Sequence, residues 1–96
     1  MTKDDLDRAQ KSAGKENRRI LSDAYETLKL FTTCDFDRLA DREVRARRSM
    51  INDSMSSLTE AVSSLKSPTG RKIALKAYTA LGDRLQRFDR ELATRG

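Results

Sequence analysis

The only proline of the chain, Pro68, lies between the two most regular hydrophobic repeats of the sequence. A proline disfavours the α region for the residue before it, so a helix arriving from the N-terminal side is expected to end by Lys66. Ser67 is a good N-cap, and Pro68 suits the first helical position, where its missing N–H costs nothing. The segment Ser67–Gly70 therefore predicts a turn that joins two helices into a hairpin.

Both repeats have the spacing of one helix face. Before the turn, apolar residues recur every seven positions at Val44, Ile51, Leu58 and Leu65. After the turn, steps of four and three alternate through Ala74, Tyr78, Leu81, Leu85, Phe88 and Leu92. Stripes this narrow and regular are typical of a coiled-coil face. We therefore predict that these residues form a helix–helix seam, either inside one bundle or with a partner.

The hydrophobic pattern predicts an all-α chain in an antiparallel arrangement of three helices, in which a long hairpin is joined to an N-terminal helix. The helices are expected at about residues 15–31, 36–66 and 71–94. Residues 1–14 are expected to be weaker or frayed, because Gly14 interrupts their apolar stripe. A helix of about 30 residues spans about 45 Å, so the molecule is expected to be elongated.

The composition predicts a thin core. With 96 residues, the chain fits a single domain over 1–96. Hydrophobic residues make up 36%, against the roughly 45–50% usual for globular domains when glycine is included. A thin core raises the chance that a partner completes it. We therefore expect association with a second copy or with another helical protein.

The residue types that most catalytic and metal sites need are scarce. The chain has no histidine and one cysteine, Cys34, so a hydrolytic triad or a zinc cluster is not expected. The run Thr69–Lys72 contains Gly-x-Lys, but it lacks the other glycine of a Walker phosphate-binding loop, and no predicted strand precedes it. We expect no enzymatic activity, no metal and no cofactor. Cys34 is expected to be a partly buried loop residue, with a redox role as the alternative.

The sequence also indicates a compartment. A single thiol cannot form an internal disulfide, and no apolar run approaches the roughly 18 residues of a membrane span. The residues Met1–Leu6 are polar and unlike a signal peptide. We therefore expect a cytoplasmic protein that does not interact with membranes.

The net charge of +5 is concentrated in the last third of the chain. Residues 66–96 carry eight basic and three acidic groups, and no acid lies between Glu60 and Asp83. The basic residues near the predicted turn are Lys66, Arg71, Lys72 and Lys76, and a second run contains Arg42, Arg45, Arg47 and Arg48. Cations alone predict salt-sensitive, sequence-independent contact with phosphate or a nucleic-acid backbone. Without tryptophan, and with Tyr78 expected in the seam, base stacking is not expected.

On the polar face of the last predicted helix, two acids precede a base by four residues. The pairs are Asp83 with Arg87 and Glu91 with Arg95. This order favours ion pairing, although each pair adds only about 0.2–0.5 kcal/mol.

Two functions are consistent with these patterns. The favoured one is a non-enzymatic protein–protein interaction or regulatory module that acts through helix–helix contacts and self-associates. The alternative is an electrostatic binder of nucleic acid or of a phosphate ligand, which uses the basic residues around the turn.

Overall fold

The computed structural model describes residues 1–31 and 35–96. Along the chain it contains the helices α1 (Lys3–Gln10), α2 (Lys15–Leu30), α3 (Asp41–Ser64) and α4 (Pro68–Arg95). One turn of 3-10 helix, Phe36–Arg38, lies between α2 and α3. No strand occurs in the described ranges and the four helices pack against one another, so the all-α prediction is confirmed. None of the helices in these ranges combines the length and the apolar character needed to cross a membrane.

Helix α1 is held by a reciprocal pair of hydrogen bonds at its start. The Asp5 backbone N–H donates to the Thr2 hydroxyl at 3.1 Å, and the Thr2 backbone N–H donates to the Asp5 carboxylate at 3.2 Å. The Leu6 and Ala9 side chains of this helix are buried in the core. The structure therefore has four helices where three are predicted, and the segment 1–14 contains a capped, packed helix.

Helix α4 begins at the turn that the sequence predicts. The Gly70 backbone N–H donates to the Ser67 hydroxyl at 3.2 Å, and Pro68 is the first helical residue. The predicted capping role of Ser67 is confirmed. The start of α4 at Pro68 agrees with the position predicted for the proline, and it lies three residues before the approximate range 71–94.

Helix α3 begins at Asp41, five residues after the predicted start at Phe36. The carbonyl oxygens just before α3 accept hydrogen bonds from a distant side chain. The Arg95 guanidinium donates to the Phe36 carbonyl at 2.6 Å and to the Leu39 carbonyl at 2.8 Å. These long-range bonds hold the segment beside the end of α4 instead of in a continuous helix.

Packing of the helices brings two turns to one end of the bundle. Helix α3 lies against α4, α2 lies against α3, and α1 lies across α2 and α4. The Asn17 side-chain amide donates to the Ser64 hydroxyl at 3.2 Å, which places the start of α2 beside the end of α3. At the far end, Arg95 contacts the Asp41 carboxylate at 2.9 Å. The folded chain measures 43 × 22 × 18 Å.

The core contains apolar side chains from all four helices. Its largest fully buried side chains are Phe88, Leu21, Ile51, Leu58, Leu81 and Val44. Near the end opposite the two turns, the Phe88 ring packs edge-on against Phe31 and Phe36, with ring centroids 5.6 Å and 5.0 Å apart. This aromatic cluster joins α4 to the end of α2 and to the 3-10 turn.

Most residues of the predicted seam are buried within the single chain. At most 4% of each side chain is exposed at Val44, Ile51, Leu58, Leu65, Leu81 and Phe88. Leu85 and Leu92 are half-buried against the same core. The chain itself therefore covers these residues.

Tyr78 requires a correction, because 39% of it is exposed and it does not lie in the seam. The inward positions of α4 near this residue are occupied by Ala74, Ala77 and Leu81, which are all fully buried. Tyr78 is therefore displaced to the edge of α4 that faces α3.

Candidate interaction surfaces

An apolar groove lies between α3 and α4 on the outside of the bundle. It is lined by Thr59 and Val62 of α3 and by Leu75 and Tyr78 of α4. Leu75 is 53% exposed and Tyr78 is 39% exposed. Two large, exposed apolar side chains beside a half-buried valine form a patch of the kind that marks interaction sites.

Two charged side chains of α4 have no ion-pair partner in the described ranges. Lys72 and Asp83 are both exposed. The predicted pair of Asp83 with Arg87 is not formed, whereas Glu91 pairs with Arg95 at 2.8 Å. Lys72 and Asp83 are therefore available for contacts outside the chain.

The end of the bundle that holds the two turns is basic. The loop before α4 places Lys66 in a shallow cleft beside Ser12 and Asn17 of the α1–α2 region. Exposed Lys11 and Lys15 flank the α1–α2 turn. We call Lys11, Lys15, Lys66 and Arg71 the basic end. Sequence patterns do not indicate that Lys11 and Lys15 belong to the basic end, because about fifty residues separate them from Lys66.

The four cations predicted around the turn differ in their surroundings. The Arg71 guanidinium donates to the Leu65 carbonyl at 3.3 Å, so it is held at the end of α3. Lys76 lies 3.9 Å from the Asp5 carboxylate, and Lys72 lines the same groove between α1 and α4. Lys66 has no partner in the described ranges and stands beside the other turn.

The second predicted basic run lies far from the basic end. Arg45 is 20 residues before Leu65, which corresponds to about 30 Å along α3. Arg48 pairs with Asp89 of α4. The Arg47 guanidinium stacks over the Phe31 ring, 5.8 Å from its centroid. The structure therefore does not join Arg45, Arg47 and Arg48 to the basic residues near the turn.

Asp5 is the most deeply placed carboxylate near the basic end, with 10% of its side chain exposed. The hydrogen bond from the Thr2 backbone N–H lowers the pKa of Asp5, and the hydrogen bond from Arg8 and the charge of Lys76 lower it further. Asp5 therefore stays ionised and is engaged by its own chain.

The described residues contain no group of three side chains placed to hold a metal ion. Cys34 lies outside the described residues, so neither its predicted position in a loop nor a redox role is tested. The grooves and clefts on the surface are suited to contact with another molecule.

Comparison with protein-family models, with curated proteins and with solved structures gives no match to this chain. The apolar groove and the basic end are therefore the features from which a function is inferred.

Proposed function

We propose that this chain is a non-enzymatic helical interaction module that self-associates through the outer face of α4. The apolar groove supports this proposal more than any other feature, since it exposes Leu75 and Tyr78 on the longest helix of the chain. The seam residues are already buried, whereas this groove is an apolar surface between α3 and α4 that stays open to helix–helix contact.

A second part of the proposal concerns how α3 packs against α4. We propose that α3 and α4 form an antiparallel pair with a coiled-coil-like seam. Burial of Val44, Ile51 and Leu58, which share heptad positions, supports this packing. The same packing turns Leu75 to the outside, where a second copy can contact it.

The charges on α4 favour a second copy as the partner. Lys72 and Asp83 are eleven residues apart, which is close to three helical turns, so they lie on the same face of α4. Their midpoint is between Ala77 and Tyr78. If two α4 helices pair antiparallel about a two-fold axis at this midpoint, each Lys72 lies opposite Asp83 of the other copy. Leu75 then lies inside the interface, as expected for a self-complementary, two-fold contact.

The first test is the oligomeric state of the Leu75→Glu variant, measured by size-exclusion chromatography with light scattering over a range of protein concentrations. Complete burial of a leucine side chain contributes about 1.5–3 kcal/mol. Leu75 is about half-buried in the monomer, so roughly half of this free energy remains to be gained when the dimer forms. Two copies each lose this contact, so we expect the dissociation constant of the dimer to rise at least about tenfold. The matched control is Leu30→Glu, because Leu30 is 62% exposed at the end of α2, and its dimer is expected to resemble wild type.

The second test exchanges the two charges. Lys72→Glu and Asp83→Lys each place like charges opposite one another, so each is expected to weaken the dimer several-fold. The variant that carries both changes restores opposite charges and is expected to recover the affinity. Wild-type protein that stays monomeric at all concentrations would contradict self-association. A dimer that withstands Leu75→Glu would contradict the choice of surface.

A further inference from the structure

We propose that the basic end binds the phosphate backbone of nucleic acid, a function separate from self-association. The proposal depends on a juxtaposition that only the fold creates. Lys11 and Lys15, which flank the α1–α2 turn, lie at the same end of the bundle as Lys66 and Arg71, because the two turns lie side by side.

The lysines of this end are free to contact an external anion. Lys11, Lys15 and Lys66 are exposed, and none of them forms an ion pair with a residue in the described ranges. At the opposite end, Arg95 is paired with Glu91 and with Asp41 at 2.8 and 2.9 Å. The charge of Arg95 is therefore compensated within the chain, whereas the charges of these three lysines are not compensated by ion pairs in the described part of the chain.

Two nearby acids, Asp5 and Glu16, are already engaged by other groups of the chain. Asp5 accepts hydrogen bonds from Arg8 and from the Thr2 backbone. Glu16 pairs with Arg19 of the same helix, and this hydrogen bond lowers the pKa of Glu16. Both helix starts and helix ends occur at this end of the bundle, so the helix dipoles largely offset one another. The positive potential therefore comes from the lysine and arginine side chains.

The arrangement fits an extended polyanion better than a small ligand or a membrane. The cations are distributed over two turns, so they match a row of phosphates more closely than a single phosphate group. The exposed large apolar side chains of the described ranges are Leu30, Met50, Leu75 and Tyr78, and none lies in the turns at 11–14 or 65–67. A lipid anchor and an aromatic stacking platform are both missing from these turns, so the expected contact is with the backbone and independent of base sequence.

The test uses fluorescence anisotropy of a short, labelled, mixed-sequence DNA duplex with the full chain in a salt series. Four phosphate contacts predict a slope of about −3.6 for log K against log salt. The affinity is then expected to fall about 100-fold between about 50 mM and about 200 mM salt. A second duplex of different sequence is expected to bind equally well.

The decisive variant is Lys11→Glu/Lys15→Glu/Lys66→Glu, which is expected to remove most of the affinity and flatten the salt dependence. The matched control is Lys29→Glu/Arg87→Glu/Arg90→Glu, because it reverses three exposed cations away from the basic end and changes the net charge equally. The control is expected to bind nearly as wild type. Circular dichroism checks that both variants keep their helix content.

Three results would overturn the proposal. The first is the absence of saturable duplex binding at about 50 mM salt. The second is an equal loss of affinity in both triple variants. The third is binding to phosphatidylserine vesicles without binding to the duplex. The Leu75→Glu variant is expected to keep duplex binding by each chain. Failure of self-association and failure of nucleic-acid binding can therefore be told apart.

Discussion

The Phe88→Leu variant tests the account of the core. Only 2% of Phe88 is exposed, and its ring packs edge-on against Phe31 and Phe36 at interplanar angles of 74° and 82°. Leucine keeps most of the apolar volume, so the volume change itself costs about 1 kcal/mol. The substitution also removes two aromatic pairs, each worth about 0.5–1.5 kcal/mol beyond burial. We expect the free energy of unfolding to fall by about 3 kcal/mol.

This loss is large against the about 5–14 kcal/mol expected for a domain of this length. Urea unfolding followed by far-ultraviolet circular dichroism, at one protein concentration, measures it as a lower midpoint with an unchanged slope. The control is Phe36→Leu. Phe36 is half-buried and, among the described residues, its ring packs against only one other ring, that of Phe88. This substitution is therefore expected to lower the free energy of unfolding by less. A loss below about 1 kcal/mol for Phe88→Leu would show that the aromatic cluster does not stabilise the fold as argued.

Two further substitutions and one pH effect follow from local geometry. Gly82→Ala is expected to raise the unfolding free energy by up to about 1 kcal/mol, because glycine inside a helix is costly and the added methyl group would meet the Met55 methyl carbon at an ordinary 3.6 Å. An unchanged or lower urea midpoint would contradict this. Thr2→Ala removes the α1 cap and is expected to cost about 1 kcal/mol in the same assay. The pKa of Asp5 is lowered in the folded chain. The ionised Asp5 therefore contributes fully to the stability of the fold above pH 3.8, its ordinary pKa, and this contribution is lost as the pH falls through the lower pKa of the folded state. An Asp5→Asn variant is therefore expected to lose less stability in acid than wild type, and an equal loss would contradict the role of Asp5.

Local sequence signals were sufficient for the turn before α4. Ser67 and Pro68 act through backbone restrictions on their immediate neighbours, so their effect can be predicted without knowing the rest of the fold. The heptad residues from Val44 to Leu65 are buried for the same reason, since their spacing alone places them on one face.

Features that depend on distant residues were not predictable. The start of α3 depends on Arg95, which donates hydrogen bonds to the carbonyl oxygens of Phe36 and Leu39. Arg95 lies more than fifty residues further along the chain. Tyr78 fits the heptad spacing, but the small side chains Ala74 and Ala77 determine which face of α4 approaches the core. Likewise, the basic end exists only because packing brings the two turns together.

The start of α1 has a local signal in the sequence. Thr2 and Asp5 have the spacing of a capping box, with the aspartate in the position more often held by glutamate. Gly14, which suggested a weak segment, lies in the turn after α1 as the residue before α2. The glycine therefore separates two helices instead of weakening one.

The shortness of α1 has a consequence for the motions of the molecule. Eight residues are too few for a helix that persists alone in water, so α1 can be helical only while it is docked on α2 and α4. Undocking and unfolding of α1 are then a single cooperative event, and it exposes Leu6 and Ala9 to solvent in the same step. The bundle therefore has a built-in smallest opening unit, and amide hydrogens of α1 should exchange together and before those of α3 and α4.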